Sequence, residues 1–170
     1  MADNDENKQE ELITYCAKML NCNGLNDRVK RNKIITELQC GQPDLLVLVD
    51  SRLSDCVYTM QKISRMDSYR YELAGESSQS KGITVLIKNT TNLKLIRTHK
   101  DPGGQFILLE TIHELRPVLF VGTYGPSDSD DVNFWRTLHQ KVQDLQYENI
   151  LMLGDNNFYS TIAWTPGITQ

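Results

Sequence analysis

Five consecutive apolar residues, Leu45–Val49, constrain the fold of this chain more than any other feature of its sequence. Pro43 breaks the chain shortly before the run, and Asp50 follows it directly. A short, wholly apolar run between such boundaries is typical of a strand that is covered on both faces. The sequence therefore predicts a layered domain in which this strand is central.

The size and composition of the chain suit one domain of this kind. It has 170 residues, of which 39% are hydrophobic and 24% charged, and a domain of this length buries roughly 70% of its unfolded surface. No stretch approaches the ~18 consecutive apolar residues of a membrane-spanning helix, so we expect no membrane partner. The 18 basic and 22 acidic residues give a net charge of −4. Binding to nucleic acid would therefore depend on a local basic patch.

The N-terminal segment and the cysteines indicate an intracellular protein. Residues 1–12 form a polar, acidic tail that lacks the apolar core of a signal peptide. The four cysteines show no C-x-x-C spacing, which favours free, reduced thiols over a disulfide or metal framework. We expect this acidic tail, a domain over 13–157 and a tail over 158–170, in a protein of the cytoplasm or nucleus that is not secreted.

The other segments follow helical and strand patterns in turn. Residues 13–21 suit a strand, although a short helix fits the same residues. Asp27 is placed to cap a helix over 28–40, and an amphipathic helix after 128–131 precedes a last strand over 150–153. The stretch 51–79 gives weak signals and is expected to be irregular. Turn residues separate four strand-like runs, which predict an antiparallel meander over 82–88, 93–98, 105–113 and 117–124.

Polar side chains follow the apolar strands of this pattern, at the edge where open α/β sheets gather their sites. Two carboxylates and two amides in such positions suit Mg²⁺, which is held by carboxylates, waters and phosphate oxygens, and phosphodiester hydrolysis is the reaction it would serve. The alternative is that these residues only form the turns that end strands. The four residues are Asn21, Asp50, Asp155 and Asn157.

Five short motifs occur in the order and with the spacing of a known family. They are N-C-N-G-L at 21–25, P-D and the apolar strand at 43–51, S-K-G and an apolar strand at 80–86, T-Y-G-P at 123–126 and G-D-N-N at 154–157. In this pattern the chain resembles the endonuclease/exonuclease/phosphatase superfamily, and in particular the apurinic-type endonuclease domain of non-LTR (LINE-type) retrotransposons. The resemblance implies an α/β (α+β) fold with a mixed, largely antiparallel sheet and flanking helices, which forms half of the family's two-layer α/β sandwich.

The resemblance also implies roles for individual residues in a DNA endonuclease that uses Mg²⁺ or Mn²⁺. Asn21 and Asp50 would help to bind the metal, and Tyr124 would contact the scissile phosphate. Asp155 would orient or activate the attacking water, and Asn157 would hold the transition-state phosphate by electrostatic stabilisation.

A basic helical turn is the candidate nucleic-acid contact. Its cations could reach a DNA backbone beside a positive helix N-terminus, and a solvated helix face is the alternative. The residues assigned to this contact are Arg28, Lys30 and Arg31, together with Asn23 in the preceding loop.

Several positions depart from the family pattern. Asp50 stands where the family has a glutamate, and Asn156 replaces its phenylalanine. The family's second half, with its catalytic histidine, has no counterpart in this chain. We therefore expect an endonuclease-like domain that is degenerate and weakly active or inactive alone, with a non-catalytic structural or partner-binding subunit as the alternative. A half-sandwich would leave apolar surface open, which predicts a homo-oligomer or another protein as its cover.

Overall fold

A computed structural model describes residues 16–53, 68–75, 81–126 and 131–156 of the chain. Within these residues the backbone forms eight strands and two helices. In chain order they are β1 (Ala17–Asn21), α1 (Arg28–Gln39), β2 (Leu45–Val49), β3 (Tyr69–Ala74), β4 (Ile83–Lys88), β5 (Leu93–Lys100), β6 (Phe106–His113), β7 (Arg116–Tyr124), α2 (Val132–Asp144) and β8 (Ile150–Asp155).

The strands form two four-stranded sheets. The first sheet has the order β1-β2-β4-β3, and the second has the order β5-β6-β7-β8. The β1–β2 and β7–β8 pairs are parallel, whereas the other four pairs are antiparallel. The fold class predicted from the sequence, a mixed and largely antiparallel α+β arrangement with flanking helices, is confirmed.

Strand β2 lies at the centre of the first sheet and is buried along its whole length, as its apolar run predicts. Side chains alternate between the two faces of a strand. Leu45, Val47 and Val49 therefore enter the core between the two sheets. Leu46 and Leu48 enter the outer core beneath α1.

Helices cover the outer faces of both sheets. The side chain of Asp27 caps α1 by accepting a 2.7 Å hydrogen bond from the Lys30 amide, and Ile35 is buried in the core of the first sheet. Helix α2 buries Phe134 and Leu138 against the outer face of the second sheet. Neither of the helices that the structure describes is long and apolar enough to cross a membrane.

Two sequence expectations were wrong. The stretch 51–79 was expected to be irregular, but Tyr69–Ala74 within it forms β3. Tyr, Tyr and Leu alternate there with Arg and Glu, which is the pattern of a half-buried strand. The expected four-strand meander is also divided, because β4 pairs with β2 and β3 in the first sheet. Strands β5, β6 and β7 alone form the meander.

The two parallel pairs place β1 and β8 at sheet ends. Over 17–21 the strand interpretation is confirmed against the helix, while 13–15 lie outside the described residues. The outer edges of β1 and β8 pair with no strand in the described part of the chain. Met19 on β1 and Met152 on β8 are 41% and 43% exposed, so this side of the sandwich carries open apolar surface.

Candidate functional site

The carboxyl ends of β1, β2, β7 and β8 meet at one edge of the sandwich. Parallel pairing sets Asn21 beside Val49 and Tyr124 beside Asp155, so the residues that end or follow these strands lie together. The Nδ2 group of Asn21 donates a 2.8 Å hydrogen bond to Oδ2 of Asp155, which joins the first sheet to the second. The structure thus brings Asn21, Asp50, Tyr124 and Asp155 together, as their positions in the sequence predict. Asn157 lies outside the described residues.

The loop after β1 is fastened to the segment after β2. The backbone amides of Cys22, Gly24 and Leu25 donate to the carbonyls of Val49, Asp50 and Ser51 at 2.7 to 2.9 Å. Oδ1 of Asn21 accepts a 3.1 Å hydrogen bond from the Asn23 amide. Cys22 and Leu25 are each 1% exposed and anchor the loop in the core. The loop is therefore a fixed wall of the site.

Arg52 and Asp50 form an ion pair in the site. Nε of Arg52 donates to Oδ1 of Asp50 and Nη2 donates to Oδ2, both at 3.0 Å. Nη2 also donates to Oδ1 of Asn23 at 3.1 Å. The hydrogen bonds to Asp50, and then its charge, raise the pKa of Arg52 above its ordinary value. Sequence reasoning missed Arg52, although a cation two residues beyond a strand-end aspartate was the available signal.

Tyr124 lies within electrostatic reach of both acids. Burial raises the pKa of its phenol, the charges of Asp50 and Asp155 raise it further, and Arg52 opposes them. The phenol therefore keeps its proton near neutral pH and can donate a hydrogen bond. On the preceding residue, the hydroxyl of Thr123 donates to Oδ1 of Asn156. Asn156, which departs from the family pattern, thus holds the end of β8 against β7.

The predicted basic contact is only partly exposed. Arg28 lies on the surface, and Nζ of Lys30 donates to the Asn23 carbonyl at 2.7 Å. Arg31 is 6% exposed, and its Nη1 donates to the carbonyls of Leu25 and Asn26 at 2.8 and 3.1 Å. The expectation that Arg31 reaches a DNA backbone is corrected, because the buried guanidinium holds the site loop from inside.

The donor set does not fit a divalent cation in this arrangement. Both oxygens of Asp50 already accept from Arg52, and Oδ2 of Asp155 accepts from Asn21. The described residues contain no cluster of three or more His, Cys, Asp or Glu side chains suited to a metal ion. Since Mg²⁺ demands near-ideal geometry from free oxygens, Asp50 would have to leave Arg52 before it could act as a ligand.

No protein-family model matches the chain, but solved structures share its fold. TDP2 from D. rerio, in complex with a single-stranded DNA product, matches with a TM-score of 0.63 and 14% identity over 86% of this chain and 62% of that chain. The 3′ phosphatase NExo from Neisseria, bound to a product DNA hairpin, matches with a TM-score of 0.60 and 16% identity over 85% of this chain and 58% of that chain. A mannosyl-6-phosphatase from Bacteroides thetaiotaomicron matches with a TM-score of 0.65 and 10% identity over 85% of this chain and 66% of that chain.

These similarities establish the endonuclease/exonuclease/phosphatase fold for this chain. The neighbours include proteins that act on DNA and one that acts on a sugar phosphate, and the fold they share does not by itself fix a substrate. The chain spans less than two thirds of the length of each.

Proposed function

We propose that this chain is a retroelement-type endonuclease-like domain, derived from metal-dependent phosphodiesterases, that binds DNA and is weakly active or inactive as an isolated chain. The observation that carries the proposal is the 2.8 Å hydrogen bond between Asn21 and Asp155. It fixes an acid and an amide where the strand ends of two sheets meet, in a fold shared with DNA-processing enzymes.

The site residues would supply several of the groups that phosphodiester hydrolysis uses. Asp155, oriented by Asn21, would position the attacking water, while the protonated phenol of Tyr124 would donate to the scissile phosphate. Asn157 would hold the phosphate in the transition state. DNA as the ligand is supported by the neighbours, since D. rerio TDP2 and Neisseria NExo are each seen with a DNA product.

One feature supports weak activity or none. Asp50 takes the place of the family's longer glutamate and is already paired with Arg52. A Mg²⁺ or Mn²⁺ cofactor and an intracellular location stay predictions.

A second candidate is a non-catalytic subunit that assembles through the open side of the sandwich. Met19 and Met152 expose apolar surface on the two strands whose outer edges are unpaired among the described residues. Such edges accept further strands, so a second copy of the chain or another protein would cover them. Light scattering that finds a monomer at all concentrations, with no partner bound, would count against this candidate.

The first test is a supercoiled-plasmid nicking assay with Mg²⁺ and with Mn²⁺. DNA binding by the same proteins is measured in parallel by fluorescence anisotropy. Asp155→Ala removes the proposed water-positioning acid, and Asp144→Ala, at the exposed end of α2, is the matched control. Nicking that Asp155→Ala abolishes and Asp144→Ala retains would support hydrolysis. DNA binding without nicking would support a degenerate domain. A chain that neither binds nor nicks DNA would contradict the proposal.

A further inference from the structure

Arg52 is held in the site as a built-in cation. Its guanidinium pairs with the carboxylate of Asp50 in the bidentate geometry that suits these two planar groups. The side chain of Asp50 is 7% exposed, whereas that of Arg52 is 37% exposed. A buried carboxylate needs a partner of opposite charge. Arg52 supplies that charge and still faces solvent.

The backbone of neighbouring residues packs closely against the Arg52 side chain. A Cβ on Gly24 would lie 3.2 Å from Cδ of Arg52, and the φ of Gly24 is +80°. The backbone amide of Arg52 donates to the Lys81 carbonyl at 2.9 Å. Asp50 and Arg52 themselves have φ values of +49° and +52°, which are uncommon for residues other than glycine. Surrounding contacts therefore fix the ion pair in place.

Part of the guanidinium remains available. Nε and Nη2 make the hydrogen bonds to Asp50 and Asn23, while Nη1 makes none with the residues that the structure describes. An arginine keeps five N–H donors in a fixed planar fork and binds phosphate oxygens well. Among the described residues, the two N–H groups of Nη1 have no acceptor, so Nη1 can donate to a phosphate oxygen.

Arg52 is the charged partner of Asp50 at the site. A divalent cation would meet Arg52 at the position where it needs a free carboxylate, and like charges repel at such short range. A phosphate anion would meet an exposed guanidinium instead.

We infer that Arg52 takes the cation position of this site, and that the site binds a nucleic-acid phosphodiester through Nη1 of this guanidinium without a divalent cation. The inference rests on the proposed function in one respect, namely that the phosphate belongs to DNA. It also gives a physical reason for weak hydrolysis, because a guanidinium can hold a phosphate but does not lower the pKa of a bound water as a metal does.

The first experiment measures Mn²⁺ binding by the full chain without nucleic acid, from the electron paramagnetic resonance signal of free Mn²⁺. We expect wild type to bind Mn²⁺ weakly, and Arg52→Gln to bind it at least about tenfold more tightly because Asp50 is released. Adding Asp50→Asn to Arg52→Gln should remove the gain. Arg136→Gln, which deletes an exposed guanidinium on α2, should match wild type.

Either of two results in this arm would overturn the inference. One is tight Mn²⁺ binding by wild type that Asp50→Asn abolishes. The other is an Arg52→Gln variant that folds, by thermal melting, and binds Mn²⁺ no better than wild type.

The second experiment measures binding of a fluorescein-labelled single-stranded DNA by anisotropy, in EDTA and in Mg²⁺. We expect equal affinity in both, and a loss of about tenfold in Arg52→Gln but not in Arg136→Gln. The affinity of Arg52→Lys for DNA should lie between those of wild type and Arg52→Gln, since lysine keeps the charge without the planar fork. Asp50→Asn should strengthen binding, because it removes the charge that neutralises Arg52. DNA binding that EDTA abolishes, or that Asp50→Asn weakens, would overturn the inference.

The two arms separate this inference from the proposed function. Wild-type Mn²⁺ binding through Asp50, together with nicking that depends on Asp155, would overturn the inference and leave the proposed function standing. A wild-type chain that binds no DNA in either buffer would overturn the proposed function and the phosphate ligand together. The Mn²⁺ arm would still decide whether Arg52 excludes a cation.

Discussion

Asn21 and Asp155 are 134 residues apart in the chain, and a single 2.8 Å hydrogen bond joins their side chains. Asn21 ends β1 at the end of one sheet, and Asp155 ends β8 at the end of the other. The contact orients Asp155 and also joins the two sheets at the edge that carries the candidate site. Changes at Asn21 should therefore be visible in both stability and DNA binding.

Replacing Asn21 by aspartate should be more harmful near neutral pH than replacing it by alanine. Asn21→Ala loses two hydrogen bonds, the one to Asp155 and the one from the Asn23 amide, each worth about 1 kcal/mol of unfolding free energy. Asn21→Asp places a second carboxylate next to that of Asp155, and the two like charges disfavour ionisation of both. Urea denaturation at several pH values measures this. The extra penalty of Asn21→Asp should shrink as the pH falls and one carboxylate takes up a proton, and a penalty independent of pH would contradict the explanation.

Gly104 should tolerate no side chain. A Cβ there would lie 2.9 Å from the backbone of Gly82 and 3.0 Å from Cα of Gly75, and the φ of Gly104 is +68°. Gly104→Ala adds overpacking to an unfavourable conformation, so we expect a loss of about 2 kcal/mol or more of unfolding free energy. Thermal and urea denaturation measure the loss.

The neighbouring glycine provides the control for this substitution. A Cβ on Gly103 would approach only the side chains of Asp101 and Gln105, at 3.1 Å or more. Although Oδ2 of Asp101 accepts a hydrogen bond from the Gln105 amide, it would have to shift by only a few tenths of an ångström. Gly103→Ala should therefore cost much less than Gly104→Ala. Equal losses in the two variants would mean that the contact with Gly82 is not what excludes a side chain.

The strand-end site can be predicted from the sequence because it depends on short local patterns. Apolar runs identify β2 and β8, and the side chains that follow them must lie at one sheet edge once the strands pair in parallel. Asp50 and Asp155 could be placed at that edge without knowing the rest of the fold. The strand over 69–74 does alternate, but it is short and lies within the polar stretch 51–79, whose other residues give only weak signals.

The remaining features depend on contacts distant in sequence. Nothing local distinguishes a β4 that continues the meander from a β4 that pairs with β2 in another sheet. The burial of Arg31 likewise depends on how the loop carbonyls of Leu25 and Asn26 fold over α1. A basic run alone cannot separate a surface cation from one that holds a loop. Arg52 forms its ion pair with Asp50 where both residues have positive φ values, which a sequence pattern does not show.

Glu110 on the outer face of the second sheet should make stability depend on pH. Its Oε1 lies 2.6 Å from Nε2 of His99, and its Oε2 accepts a 2.9 Å hydrogen bond from the hydroxyl of Tyr147. The hydrogen bond with His99, and then that with Tyr147, lower the pKa of Glu110 below its ordinary value despite burial. A lowered pKa in the folded state means that the ionised carboxylate stabilises the fold.

The stabilisation by Glu110 should be fully present above the ordinary glutamate pKa and lost as the pH falls through the lower pKa of the folded state. Glu110→Gln should therefore reduce the unfolding free energy at neutral pH and differ little from wild type in strong acid. Glu148→Gln, at an exposed position after α2, controls for the loss of a charge. Chemical denaturation of the three proteins across acidic pH measures the difference, and a gap that widens on acidification would refute this assignment.

The buried thiol and the exposed thiols should differ sharply in reactivity. Cys22 is 1% exposed, and burial raises the pKa of its thiol to about 12, against a smaller opposing effect of Lys30. Cys16 and Cys40 are exposed. Since the thiolate is the reactive form, iodoacetamide near neutral pH should modify Cys16 and Cys40 and spare Cys22 in the folded protein, as read by peptide mass mapping. Modification of Cys22 should appear only in denaturant. Labelling of Cys22 at the rate of Cys16 in the folded chain would mean that the loop after β1 opens, and that the wall of the site is not fixed as the structure shows it.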